Sequence, residues 1–144
     1  MKIVALVFLT LIVVTPALAQ TPRIVTAAEA NGTYGYRHNE IKILALGHNK
    51  LRLQMELLFP YKSPMGPTAH TGDAEGEATI ENDTAVFYPL DDRKCKITLQ
   101  FLPGNKLKVS EENTIDCGFG MNVTSAGTYT KIKAGKPKFD EDKK

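Results

Sequence analysis

Apolar and polar side chains alternate along most of this chain with a period of two residues, which is typical of half-buried β-strands. The clearest run extends from Cys95 to Phe101, and a second run from Leu51 to Phe59 has the same alternation. Turn residues separate such runs at spacings of roughly ten residues, while no run after residue 20 has the spacing of an amphipathic helix. The pattern predicts an all-β fold, a small antiparallel meander barrel of about eight strands.

The triplet Gly-Thr-Tyr occurs at both ends of this region, at Gly32–Tyr34 and Gly127–Tyr129. We interpret the triplets as the first and last strands, which pair so that the barrel closes and has no free edges. Alternation through residues 115–123 predicts another strand, and three prolines predict an irregular loop over residues 60–72. The barrel domain is therefore expected to span residues 31–131.

The segments on either side of the barrel have different compositions. Lys2, the apolar run Ile3–Val14 and the small residues Ala17 and Ala19 predict a signal peptide over residues 1–19. A membrane anchor is the alternative, but it needs about 20 apolar residues and this run is shorter. We therefore expect a periplasmic or secreted protein. Residues 20–30 are expected to form a flexible leader, and residues 132–144, rich in lysine, a disordered charged tail.

The two cysteines, Cys95 and Cys117, both follow the predicted signal peptide. An even pair in an exported chain indicates a disulfide, although free thiols or a shared metal remain alternatives. A bulge near Glu111 in the predicted hairpin would place the two residues opposite each other on the inner face.

Charge is nearly balanced in the predicted mature body. Residues 20–130 contain 11 basic and 13 acidic side chains, so no broad cationic face for nucleic acid is expected. His70 with Asp73, Glu75 and Glu77 could hold a cation, but an exposed strand face explains the same acids more simply. Ser63, His70 and Asp73 contain the groups of a nucleophilic triad without a nucleophile-elbow motif. We expect no enzyme, no metal site and no cofactor.

A resemblance adds a hypothesis about function. The segment Cys117–Val123, followed by Gly127–Tyr129, resembles the closing segment of small exported bacterial β-barrel proteins that are uncharacterised. It also resembles domains attached to periplasmic lysozyme inhibitors. Export, the barrel pattern and the missing catalytic machinery predict a monomeric, non-enzymatic binding module of the cell envelope. The resemblance implies a protein partner such as lysozyme. It assigns no inhibitory loop. From composition, the candidate partner loop is the proline-rich stretch that contains Tyr61, Met65 and His70.

The competing hypothesis is a carrier of a small apolar ligand. Lipocalins are similar small barrels whose first strand carries Gly-x-Trp, and Gly32-Thr33-Tyr34 stands in that place here. An eight-stranded barrel is wide enough either to be filled by side chains or to hold one small molecule. Most predicted inward positions are large, and only Ala74, Gly76 and Ala78 are small, so a filled interior is favoured.

Overall fold

The computed structural model describes residues 22–140, which form one closed eight-stranded barrel with every neighbouring pair of strands antiparallel. The predicted fold class is confirmed. The strands are β1 (Gly32–Tyr36), β2 (Asn39–Gly47), β3 (Lys50–Ser63), β4 (Gly66–Glu81), β5 (Thr84–Phe87), β6 (Lys96–Leu102), β7 (Lys106–Glu112) and β8 (Gly127–Ala134). A short helix α1 (Ala27–Ala30) precedes β1, and a 3₁₀ helix (Thr114–Cys117) follows β7. The predicted signal peptide lies outside the described residues.

The first and last strands close the barrel. Gly32 pairs with Ala134 and Gly35 pairs with Thr130. Both Gly-Thr-Tyr triplets therefore lie in the closing strands, as predicted, but they are not opposite each other. The triplet of β8 pairs with β7 instead, where Tyr129 faces Leu107.

Side chains occupy the interior of the barrel. Its buried residues include Leu51, Leu53, Met55, Ile97, Leu99, Tyr34 and Tyr129. The three small residues of β4 leave room beside them, and the ring of Phe87 takes it, at 3.2 Å from the position of a Cβ atom on Gly76. Hence the space that could have admitted a small ligand is filled from within the chain.

One end of the barrel is covered by the segment that was expected to be a flexible leader. The Thr26 side chain accepts from the Glu29 N–H and the Glu29 carboxylate accepts from the Thr26 N–H, a reciprocal cap that starts α1. Ala30 is buried, and the Val25 N–H donates to the Asn82 carbonyl at 3.1 Å. The prediction is wrong for residues 22–30 because these contacts satisfy their polar groups.

No helix within residues 22–140 is long and apolar enough to cross a membrane.

The expected disordered tail is also ordered as far as the structure describes it. Strand β8 extends to Ala134, and Phe139 is buried on the outer face of the barrel. The Arg52 guanidinium lies 4.1 Å from the centre of the Phe139 ring, and the Lys42 ammonium lies 3.3 Å from the Asp140 carboxylate. We call residues 135–140 the strap. The high charge of the tail predicted disorder, and the sequence pattern gives no sign of these contacts.

The Cys95–Cys117 disulfide is confirmed, with the two Cα atoms 4.9 Å apart. The local structure around it differs from the prediction, because residues 115–123 do not form a strand. Left-handed backbone at Asn113 and Gly118 turns the chain before and after the 3₁₀ helix. Ile115 and Met121, predicted to face inward, are exposed as a result.

Candidate docking surface

Strands β3 and β4 extend beyond the barrel as a two-stranded arm. The last residue of β3 that pairs with β2 is Glu56, whereas pairing with β4 continues without a bulge to Ser63 and Gly66. We call residues 57–72 the hairpin arm. The predicted irregular loop over residues 60–72 is therefore wrong. Pro60 and Pro67 fit the arm because each lies where a backbone N–H would point to a free edge rather than to the paired strand.

The arm carries several exposed apolar side chains. Leu58, Phe59 and Tyr61 are each about two-fifths exposed, and Met65 is 98% exposed at the tip. The Tyr61 and His70 rings stack with their centres 4.4 Å apart, which orients the Tyr61 ring on the face that continues the barrel interior. The structure therefore brings two of the three candidate partner residues into contact and places the third at the tip.

The loop that follows β7 supports the base of the arm. We call residues 113–126 the disulfide loop, since Cys117 ties it to the start of β6. The Gly120 N–H donates to the Thr71 carbonyl at 2.9 Å. The Phe119 and Val123 side chains approach Gly72 so closely that an added Cβ atom would lie within 3 Å of both. These contacts fix the direction in which the arm leaves the barrel.

The disulfide loop also enlarges the apolar surface at this end. Ile115 is 98% exposed and Met121 is 70% exposed. The alternation of both residues matched that of an inward strand face and therefore predicted burial. Phe59 was also predicted to face inward, and it does share a face with Leu57, but the arm has left the barrel at that point.

The proposed cation ligands lie on opposite faces of β4. His70 faces the same side as the barrel interior, whereas Asp73, Glu75 and Glu77 point outward and are exposed. The Glu75 carboxylate lies 2.6 Å from the Arg52 guanidinium. No group of three or more His, Cys, Asp and Glu residues within 22–140 is arranged to hold a metal. The acids belong to an exposed strand face, the simpler of the two interpretations.

The groups of the suggested triad are separated as well. The Ser63 hydroxyl donates to the Gly66 carbonyl at 2.9 Å and accepts from the Met65 N–H, which completes the turn at the tip. His70 pairs with Phe59 four positions further along β3, a separation of about 13 Å at the rise of a strand. The arrangement forms a turn and a ring stack rather than a proton-transfer chain.

Several polar side chains elsewhere on the barrel have perturbed pKa values, Lys42 and Tyr129 among them. Burial disfavours the charged Lys42 ammonium, but hydrogen bonds and charges from Glu56 and Asp140 outweigh it and raise the pKa of Lys42. Burial raises the pKa of Tyr129 to about 12. Its hydroxyl donates to the Ser125 carbonyl at 2.8 Å. Both groups lie on the barrel at the base of the arm, because Lys42 bonds to Glu56 and the Asn39 side chain that bonds to Tyr129 also accepts from the Leu58 N–H.

A scan against models of protein families found no match for this chain. Searches of curated proteins and of solved structures likewise found no similar protein.

Proposed function

We propose that this protein is an exported, non-enzymatic binding module of the cell envelope, and that it binds a protein partner through the hairpin arm. The observation that carries the proposal is the projection of β3 and β4 beyond their last contact with β2. Seven residue pairs at the rise of a β-strand give an arm about 23 Å long. Such a projection fits a concave surface on the partner.

The arm is suited to binding because little of it needs to become ordered. Its main chain is paired to the tip, three prolines restrict it, and the Tyr61–His70 stack holds an aromatic ring in place. Aromatic side chains and methionine are enriched in the cores of protein interfaces. Lys62 is the one Lys, Arg, Asp or Glu residue in residues 57–72, so burial of the arm desolvates few charges.

The resemblance to lysozyme inhibitors suggests the class of partner. An enzyme that acts on the envelope has an open cleft for a polymeric substrate, and a rigid arm that enters such a cleft blocks it. We therefore infer that the arm inhibits a lysozyme by occupying its substrate cleft.

Lysis of cell walls by c-, g- and i-type lysozymes in the presence of the purified protein tests this proposal. We expect at least one lysozyme to be slowed at micromolar excess. Unchanged rates for all three would reject the inhibitor assignment.

Matched variants locate the binding surface. Tyr61→Ala and Met65→Ala should each weaken binding by about tenfold or more, because they remove exposed anchors from the arm. Leu46→Ala is the control, since Leu46 has similar exposure to Tyr61 but lies outside the arm, near the opposite turn between β2 and β3. Equal effects of the three substitutions would contradict docking through the arm.

A further inference from the structure

We propose that the free edge of β4, from Asp73 to Glu77, binds an extended basic peptide as an added β-strand. This edge is distinct from the apolar surface of the arm, and the inference does not depend on the function proposed above.

The backbone of β4 has an unpaired side along this stretch. Strand β5 pairs with β4 only from Ala78 to Glu81. The two-residue turn after Glu81 makes Glu81 and Thr84 a hydrogen-bonded pair, so odd-numbered residues of β4 direct their N–H and C=O groups toward the β5 side. The bond from Gly120 to the carbonyl of Thr71, another odd-numbered residue, agrees with this direction.

Asp73 and Glu75, together with the N–H of Glu77, therefore present five main-chain polar groups at the edge. The Glu77 carbonyl lies beside the end of β5, where the Ala78–Phe87 pair ends the ladder. No strand of residues 22–140 pairs with these five groups on that side. An edge of this kind is a template for an incoming strand, because main-chain bonds supply affinity for any extended segment.

The opposite edge of the same hairpin, on β3, is protected from pairing with another strand. The open edge of β4 differs from it in this respect. On β3 the Leu58 N–H donates to the Asn39 side chain at 3.0 Å, and Pro60 has no N–H to offer. Lys62, the next residue on that edge, is exposed and charged. Prolines and charged side chains are common means of preventing edge pairing. The β4 edge has no proline between Asp73 and Glu77, and its three carboxylates oppose pairing with any segment that is not basic.

Space for a strand adjoins this edge. Gly76 faces the interior yet is partly accessible to solvent, which indicates an opening beside β4. The disulfide loop occupies the edge at Thr71, so the open stretch from Asp73 to Glu77 accommodates about five residues of a guest.

The outward side chains select the charge of the guest. An added strand places every second side chain beside Asp73, Glu75 and Glu77, all of which are exposed carboxylates. Glu75 already pairs with Arg52, so Asp73 and Glu77 are available to basic side chains of the peptide. A peptide with lysine at alternate positions complements this pattern, whereas one with glutamate is repelled.

The direct test is hydrogen exchange of the full protein with a blocked seven-residue peptide of alternating lysine and threonine. We expect saturable binding and slower exchange of the Asp73, Glu75 and Glu77 amides. The amides of Ala74 and Gly76 already bond to β3 and should not change, which provides an internal control. A peptide of alternating glutamate and threonine should not bind. Equal binding of both peptides, or protection confined to the arm, would overturn the proposal.

Variants separate main-chain pairing from charge attraction. Glu77→Pro removes one edge N–H and should weaken binding of the lysine peptide by about tenfold. Glu77→Ala keeps the N–H and should weaken binding of the same peptide by about threefold. Asp73→Lys combined with Glu77→Lys should reverse the preference toward the glutamate peptide. Equal affinities of the proline and alanine variants would reject strand addition.

If the proline variant does not fold, a modified peptide tests main-chain pairing instead. N-methylation of the lysine peptide at one set of alternate residues should abolish binding, while methylation of the other set should not, because only one set faces β4. Equal effects of the two modifications would contradict the proposal. A concentration-dependent dimer that protects the same three amides without peptide would show that a second copy occupies the edge, and would also overturn it.

Discussion

Tyr129 illustrates how single polar atoms are accommodated inside this barrel. Its ring is fully buried, and its hydroxyl donates to the Ser125 carbonyl and accepts from the Asn39 side chain. The Glu111 carboxylate of β7 accepts from the Thr124 hydroxyl and the Ser125 N–H in the same region. The last residues of the disulfide loop are thereby fixed by hydrogen bonds to β2, β7 and β8 rather than by strand pairing.

Burial of Tyr129 predicts a loss of stability at high pH. Its pKa rises from about 10 in the unfolded chain to about 12, so the folded state retains a proton that the unfolded state loses between these values. The stabilising contribution is complete below pH 10, and about 2 to 3 kcal/mol should disappear as the pH rises to 12. Burial also raises the pKa of Tyr34, which adds to the same trend.

Urea unfolding between pH 8 and pH 11.5 measures this loss. In Tyr129→Phe the slope should be shallower, although the variant is less stable at neutral pH by about 1 to 3 kcal/mol because the Ser125 carbonyl loses its donor. Identical slopes for the variant and the original protein would contradict the assignment.

Gly72 is a second residue whose packing can be tested by substitution. Gly72→Ala should lower the free energy of unfolding by about 1 to 3 kcal/mol, since the new methyl group meets Phe119 and Val123. Faster exchange of the Gly120 amide should accompany the loss. Gly35→Ala is the control, because the Ile132 side chain beside it is exposed and can move aside. Equal stability of the two variants would show that the disulfide loop does not pack tightly against the arm.

At the scale of elements, the disulfide loop replaces the strand that alternation predicted. Strand β6 was predicted correctly because one of its faces is buried throughout, from Ile97 to Phe101. Residues 115–123 show the same alternation, but the turn at Asn113 directs them across the barrel end, where only some side chains find cover. Alternation reports which residues are apolar and does not report whether a neighbouring strand is within reach.

The arm was mispredicted for a related reason. Prolines usually exclude a sheet, yet Pro60 and Pro67 occupy free edges of a two-stranded ribbon. The candidate residues Tyr61, Met65 and His70 were identified from composition, whereas their arrangement depends on a register that begins at the Ser63–Gly66 turn. Composition therefore located the candidate docking surface, whereas its shape depends on the pairing of β3 with β4.

Removing the disulfide should loosen this end of the molecule without opening the barrel. Cys95→Ala with Cys117→Ala should lower the free energy of unfolding by about 2 to 4 kcal/mol, because the unfolded chain regains the entropy of a closed loop. Amides of residues 113–126 should exchange faster than those of β6. Uniform acceleration across all strands, measured by hydrogen exchange, would contradict a local role.

The strap is the other element that the sequence did not predict. Phe139→Ala should lower the free energy of unfolding by about 2 kcal/mol, because the ring is buried and contacts the Arg52 guanidinium. Lys138→Ala is the control, since Lys138 is exposed. Denaturant unfolding measures both. If the two variants were equally stable, the strap would contribute nothing to folding.

The whole molecule has two different ends. Helix α1 and the turns around Asn49, Asn82 and Asn105 cover one end, while the arm and the disulfide loop project from the other. The buried interior lies between them and leaves the projecting end as the surface with most of the exposed large apolar residues. Structure and stability are thus concentrated in the barrel, and the proposed recognition surfaces lie at or beside the arm.

Export is a prediction at this scale. When the full chain is expressed in a bacterium, we expect the protein recovered outside the cytoplasm to begin at Gln20, as judged by its intact mass, with both cysteines oxidised. Retention of residues 1–19, or free thiols on fresh material, would contradict it.

Closure of the barrel by β1 and β8 determines when the chain can finish folding. The pair joins Gly32 to Ala134, so this contact closes a long loop, whereas the other strand pairs join neighbours in sequence. A ribosome or a translocation pore that still holds β8 leaves β1 with an unpaired edge, and cooperative folding must wait until the last strand emerges. For the export proposed above, the same geometry would keep the chain unfolded during transit, because no intermediate length completes the barrel.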